Sequence, residues 1–63
     1  MVVIKATHAG IDFYYNFIQH CWWTEKFLSR VDAAIPNQLA DIARERAQEL
    51  WGCEYGLVIV EPL

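Results

Sequence analysis

Residues 36–52, PNQLADIARERAQELWG, decide how the rest of the chain is read. Asn37 is a good N-cap, with Pro36 just ahead of it as a rigid lead-in. Gly52 stands where a helix needs a left-handed residue to end. Between them Leu39, Ile42, Ala43, Ala47 and Leu50 recur at three-and-four spacing, and Ala40 and Trp51 widen that apolar face. A lone helix of this length is marginal in water, so the face must cover another surface. The flanking segments have to supply it, and their period is that of strands.

Upstream, Val2, Ile4 and Ala6 alternate with Val3, Lys5 and Thr7, which is the pattern of a strand with one buried face. His8, Ala9 and Gly10 form a turn in which Gly10 is free to take positive φ. Ile11, Phe13, Tyr15 and Phe17 then alternate with Asp12, Tyr14 and Asn16, so the first two strands make a β-hairpin. A second turn and a short strand over residues 21–24 follow. Period alone leaves an alternative open, one long helix over residues 12–31, because Phe13, Phe17, His20, Cys21, Thr24, Phe27, Leu28 and Val31 also fall near helical spacing. The aromatic and β-branched content favours strands. Thr24 can cap a short helical turn with Phe27, Leu28 and Val31 facing inwards. Ala34 and Ile35 are expected to be extended, because Pro36 follows them.

Downstream of the helix, Tyr55, Leu57 and Ile59 alternate with Gly56, Val58 and Val60. Both sets are largely apolar, so this strand is expected to be central or covered on both faces, ending at Pro62. It should pair with the first strand and fill the open edge of the hairpin. The expected fold is a single α+β domain over residues 1–63, ordered β-β-(β)-α-β, with a mostly antiparallel sheet and one helix across one face.

The bulk properties narrow the function classes. The chain has 63 residues, 56% of them hydrophobic and 14% aromatic, so it is neither disordered nor large enough for more than one core. Its net charge is −3, and Lys5, Lys26, Arg30, Arg44 and Arg46 form no basic run. Direct nucleic-acid binding is not expected, because phosphate neutralisation needs clustered Lys and Arg. No stretch reaches the roughly 20 apolar residues of a membrane span, and the N-terminal stretch lacks the apolar core of a signal peptide. A cytoplasmic protein with reduced Cys21 and Cys53 is expected.

The groups able to carry chemistry are His8, His20, Cys21, Cys53 and eight carboxylates. His20 and Cys21 are adjacent and point to opposite faces of a strand. No second pair at ligand spacing and no H-E-x-x-H or paired C-x-x-C occurs, so no metal site is assigned. A Cys–His nucleophile pair, such as Cys53 with His8, lacks a third orienting group. The three glycines form no phosphate loop, and so short a chain is expected to lack room for a pocket of several hundred cubic ångströms. A non-enzyme with no cofactor and no catalytic residue is the reading.

Two surfaces remain as binding candidates. Asp41, Glu45 and Glu49 recur every four residues and stack along one helix ridge, where like charges do not help the helix. Among the aromatics Tyr14, Trp22, Trp23 and Tyr55, any left on a sheet face without a helix would form an amphipathic patch. Ordinary solvated and core roles are the plain alternatives for both sets.

The opening V-V-I-K-A-T-H-A-G-I-D-F-Y-Y resembles small phage and prophage proteins that begin with an I-K-A-T-x-x-G-x-x-F-Y-Y hairpin. Ile4, Lys5, Ala6, Thr7, Gly10, Phe13, Tyr14 and Tyr15 match that hairpin. Trp23, Ala34, Ile35, Ala40 and residues 58–61 follow the rest of the pattern more loosely, and residues 16–32 depart from its short polar link. Some phage proteins of this kind are similar to anti-CRISPR proteins. The resemblance implies a phage-encoded inhibitor in the cytoplasm of a bacterial host. Such an inhibitor binds a host protein or ribonucleoprotein complex, a CRISPR surveillance complex in the most concrete version, and blocks nucleic-acid access sterically or through acidic mimicry. The alternative is a self-associating accessory module, monomer or homodimer, with no inhibitory role.

Overall fold

The structure, a computed structural model, describes residues 1–32 and 36–63. Four strands, β1 (Val2–His8), β2 (Ile11–Asn16), β3 (Cys21–Trp23) and β4 (Ile59–Pro62), form one antiparallel sheet in the order β3-β2-β1-β4. One helix, α1 (Pro36–Trp51), packs across one face. A single 3₁₀ turn, Phe27–Ser29, lies between β3 and α1. The fold is the expected α+β arrangement, with the last strand paired to the first. Ala34 and Ile35 lie outside the described residues.

The hairpin closes through a two-residue turn in which Ala9 and Gly10 both have positive φ, 53° and 78°. That is the backbone that suits the twist of flanking strands, and it suits Asn-Gly best. Ala9 meets its own Cβ penalty there, about 1 kcal/mol. Ala9→Asn is therefore expected to raise stability by about 0.5–1 kcal/mol, read as a higher thermal midpoint of unfolding. An unchanged or lower midpoint would contradict this turn geometry.

β2 ends where Asn16 turns the chain. Its buried side-chain Oδ1 accepts hydrogen bonds from the backbone N–H of Ile18 (2.8 Å) and Gln19 (2.9 Å). His20 then adopts φ 54° and reverses the chain into β3, so no long helix spans residues 12–31. The turn at residues 27–29 is present, but its orientation differs from the expected one. Phe27 and Leu28 are exposed, and the buried residue is Ser29. The Ser29 hydroxyl accepts from Trp23 Nε1–H (2.5 Å) and donates to the Glu25 carbonyl (2.7 Å). Val31 exchanges two backbone hydrogen bonds with Val2, at 3.0 and 2.8 Å. This places Val31 beside β1 just past the end of β2. The segment from Glu25 to Val31 thus crosses the sheet face opposite α1. That explains why Val3 is fully buried although it alternates with the helix-facing Val2 and Ile4.

α1 differs from the expected helix at both its start and its face. It begins at Pro36, the first helical position that proline favours, so Asn37 lies inside the first turn and is not the cap. It ends as expected, with Gly52 at φ 62° and its N–H bonded to the Gln48 carbonyl at 2.9 Å. The buried stripe is Ala40, Ala43 and Ala47, extended by the partly buried Leu39 and Trp51. Ile42 and Leu50, expected in the core, are 46% and 60% exposed. The sheet accounts for the difference. It presents large rings at Phe13, Tyr15 and Trp22, and small alanines let the helix backbone approach them closely. Tyr15 meets Trp22 edge-on at 5.3 Å, and Trp22 meets Trp51 at 5.5 Å, so a chain of rings fills the space between sheet and helix.

β4 is an edge strand, not a central one. It is also shorter than its apolar run, because Leu57 is 80% exposed and only Val58 of the preceding residues is buried. Pro62 is tolerated at its end for a geometric reason. Leu63 N–H donates to the Met1 carbonyl (3.2 Å), whereas Val2 turns its backbone groups towards Val31. Opposite Val2, Pro62 therefore faces outwards with the nitrogen that cannot donate.

Candidate functional site

Asp41, Glu45 and Glu49 all lie on the solvent side of α1, away from the alanine stripe. They do not form an uninterrupted acidic strip. Arg44 pairs with Asp41 (2.6 Å) and Arg46 with Glu49 (3.3 Å), each three residues apart and largely exposed. Such pairs contribute about 0.3–0.5 kcal/mol and are readily exchanged for other partners. Glu45 has no ion-pair partner among the described residues. Three carboxylates against two guanidiniums leave this face with one net negative charge.

Among the described residues two open grooves flank the helix, so the expectation that the domain lacks room for such a space is not met. The first, about 480 Å³, is lined by Asp41, Ile42, Arg44, Glu45, Gln48 and Tyr55. It joins two carboxylates of the ridge to an exposed aliphatic side chain and a half-buried tyrosine. Tyr55 O–H donates to Gln48 Oε1 at 3.4 Å, which ties the segment after the helix to its last turns. Sequence reasoning placed Ile42 in the core and so missed it here. The signal was available in the competing 40/43/47 spacing, which leaves Ile42 on the flank.

The second groove, about 420 Å³, lies between the helix and β3 and is lined by His20, Cys21, Trp22, Arg46, Glu49 and Leu50. Tyr15, the neighbour of Trp22 across the β2–β3 pair, is fully buried and does not line the groove. Burial pushes the Tyr15 phenol above its usual range, and the nearby Arg46 guanidinium partly opposes that shift. Glu49, expected in one row with Asp41 and Glu45, therefore faces a different groove from theirs.

The aromatic candidates do not form an open platform. Trp22 is 8% exposed, belongs to the core, and donates its indole N–H to the Ala43 carbonyl (3.2 Å), with part of its ring lining the second groove. Trp23 is half-buried, with its N–H held by Ser29. Tyr14 is half-buried on the sheet face opposite α1. That face is crossed by the residue 25–31 segment and by ion pairs from Lys5 to Asp12 and Glu61 (both 3.8 Å) and from Lys26 to Glu61 (3.5 Å).

His8 stacks on Trp51, with ring centroids 5.0 Å apart and planes 9° apart, and its Nδ1 bonds the Glu54 carbonyl. This fastens the end of β1 to the chain just after the helix. Cys21 is half-buried, Cys53 is exposed, and both are free. Among the described residues no three His, Cys, Asp or Glu side chains converge as metal ligands, and no helix is long and apolar enough to cross a membrane.

No protein-family model, curated protein or solved structure matches the chain.

Proposed function

We propose that the chain is a non-enzymatic binding protein that docks on a larger host assembly through the outer face of α1. In its most concrete form it is a phage-encoded inhibitor of the anti-CRISPR kind. It acts in the cytoplasm of a bacterial host, where it covers the path of nucleic acid into a CRISPR surveillance complex. One observation carries this reading. The core is built on alanines, which leaves Ile42 and Leu50 exposed beside Asp41, Glu45 and Glu49 on a face that the fold does not use for packing. A mixed aliphatic and acidic face of this kind suits a partner groove with a basic rim. The charges would steer association, and the exposed aliphatic side chains would be buried on contact.

The test is the triple change Asp41→Asn, Glu45→Gln, Glu49→Gln, titrated against a candidate surveillance complex at low and moderate salt. Binding at low salt is expected to weaken by roughly tenfold or more, mostly through the association rate. Wild-type binding should itself weaken with salt, because exposed charges are screened over about 8–10 Å. Two weak ion pairs and some like-charge repulsion are removed together, so stability should change by less than about 1 kcal/mol. Equal affinities at low salt would remove this face from the mechanism.

The free edge of β4, next to the exposed Leu57 and the half-exposed Ile59, favours a second reading as a self-associating module. Sedimentation across a concentration series separates the two, because the inhibitor reading needs no second copy.

A further inference from the structure

We infer that two copies of the chain pair through the free edge of β4, antiparallel and centred on Ile59, so that their sheets join into one. Such pairing rests on the self-association reading above and gives it a strand, a register and an axis.

The ladder on the inner side of β4 fixes what its outer side presents. Val2 turns its backbone N–H and C=O towards Val31, on the β2 side of β1. Alternation along β1 then turns Val3 and Lys5 towards β4, where their register partners are Glu61 and Ile59. Val60, between those two, points its N–H and C=O away from the sheet. Val58 shares the helix-facing side with Val60 and, two residues earlier, turns its backbone the same way. This open edge is bounded at both ends. Pro62 offers a carbonyl but no N–H. At the other end Gly56 N–H bonds the Thr7 carbonyl. Three steps of chain from Gly56 to Ile59 therefore span two on β1, from Thr7 to Lys5, and such a bulge ends a flat edge. Between the bulge and the proline, Val58 and Val60 each present one donor and one acceptor with no strand beside them.

This window is its own complement. With Ile59 on a two-fold axis, Val58 of each copy exchanges two hydrogen bonds with Val60 of the other, and every open group is used. A register centred on Val60 is poorer, because it sets the Val58 carbonyl against the Pro62 nitrogen, which has no hydrogen to give. In the Ile59 register the two Ile59 side chains, each 37% exposed, face each other as a non-hydrogen-bonded pair, the closer of the two pair types. Glu61, the charged side chain of β4, is turned to Lys5 and Lys26 of its own chain and does not guard the edge. The axis stands perpendicular to the sheet, so both helices lie on one side of the joined sheet and the dimer presents two outer α1 faces.

The experiment uses the full chain, labelled with nitrogen-15 and kept reduced, from roughly 10 μM to 1 mM. Sedimentation is expected to show a reversible monomer–dimer equilibrium. It should be weak, because a single four-residue strand falls short of a standard interface of about 1,200–2,000 Å². The Val58 and Val60 amides should exchange severalfold more slowly at the top of the range, while those of Ile59 and Glu61, already directed at β1, change little. Ile59→Glu sets like charges against each other at the axis and should weaken the dimer by about tenfold. In the monomer the new carboxylate lies across the ladder from Lys5, so the fold should hold. Ile42→Glu adds the same charge to the outer face of α1 and should leave the dimer unchanged.

A monomer at every concentration overturns this pairing and the self-association reading together. A dimer whose Val60 amide exchanges at a rate independent of concentration, or whose affinity survives Ile59→Glu, overturns pairing through β4 alone and leaves self-association by another surface. A dimer lost in Ile42→Glu does the same and points to α1. The exchange measurement uses the wild-type chain, so the test stays decisive even if Ile59→Glu folds poorly.

Discussion

Ala47→Asp is expected to unfold the domain, whereas Leu50→Asp should keep a cooperative melt close to that of the wild type. Ala47 is fully buried in the stripe that lies on the sheet, against a core that includes Tyr15, Trp22 and Val58. A carboxylate there meets no cation, loses its water and forces the helix off the rings. The cost is about 4 kcal/mol or more, from desolvation and overpacking together. A domain of this length has a total stability of roughly 3–9 kcal/mol, so the folded population should collapse. Leu50 is 60% exposed, and an aspartate there stays in water. It gives up some helix propensity and adds a negative charge next to the helix C-terminus, for a loss of about 1 kcal/mol. Circular dichroism melts of the two variants check the pair. A folded Ala47→Asp, or an unfolded Leu50→Asp, would mean that the helix presents its other stripe to the sheet.

Trp22→Ala should cost about 3–5 kcal/mol, the range for removing a large buried ring. The position amplifies the effect. Trp22 links Tyr15 on the sheet to Trp51 at the end of the helix, so its loss opens a gap between the two layers. The hydrogen bond from its indole to the Ala43 carbonyl is lost as well. Trp22→Phe keeps part of the ring volume and should cost about 1–2 kcal/mol, chiefly the hydrogen bond and some packing. Urea titrations give both numbers, and the denaturant slope should change little if the native state stays intact. A loss under about 1 kcal/mol for the alanine variant would place Trp22 outside the core and restore it as a surface residue.

Much of the architecture was legible from residue order alone. Alternation over residues 2–7 and 11–17, with Gly10 between them, is a local signal, and it produced β1, β2 and the turn. Proline and glycine at the two ends of α1 act within one turn of backbone, so the helix and its stop were also readable. The carboxylate row on α1 was placed correctly on the solvent side by period alone. The arginines beside it at three-residue spacing were in the sequence too, and they reduce its net charge in the fold.

Other features depended on which surfaces meet. Two apolar stripes run along α1, one of large aliphatics and one of alanines, and hydrophobicity favours the first. The sheet brings Phe13, Tyr15 and Trp22 to the interface, so only the small stripe lets the layers close, and Ile42 and Leu50 are turned out to solvent. Whether Trp22 was core or surface, and whether β4 was central or an edge, likewise depended on strand order, which no local pattern encodes. The groove between α1 and β3 is decided at the same level. Trp22 and Arg46 are 24 positions apart in the chain, and only the packing of the helix over β3 brings both to one groove.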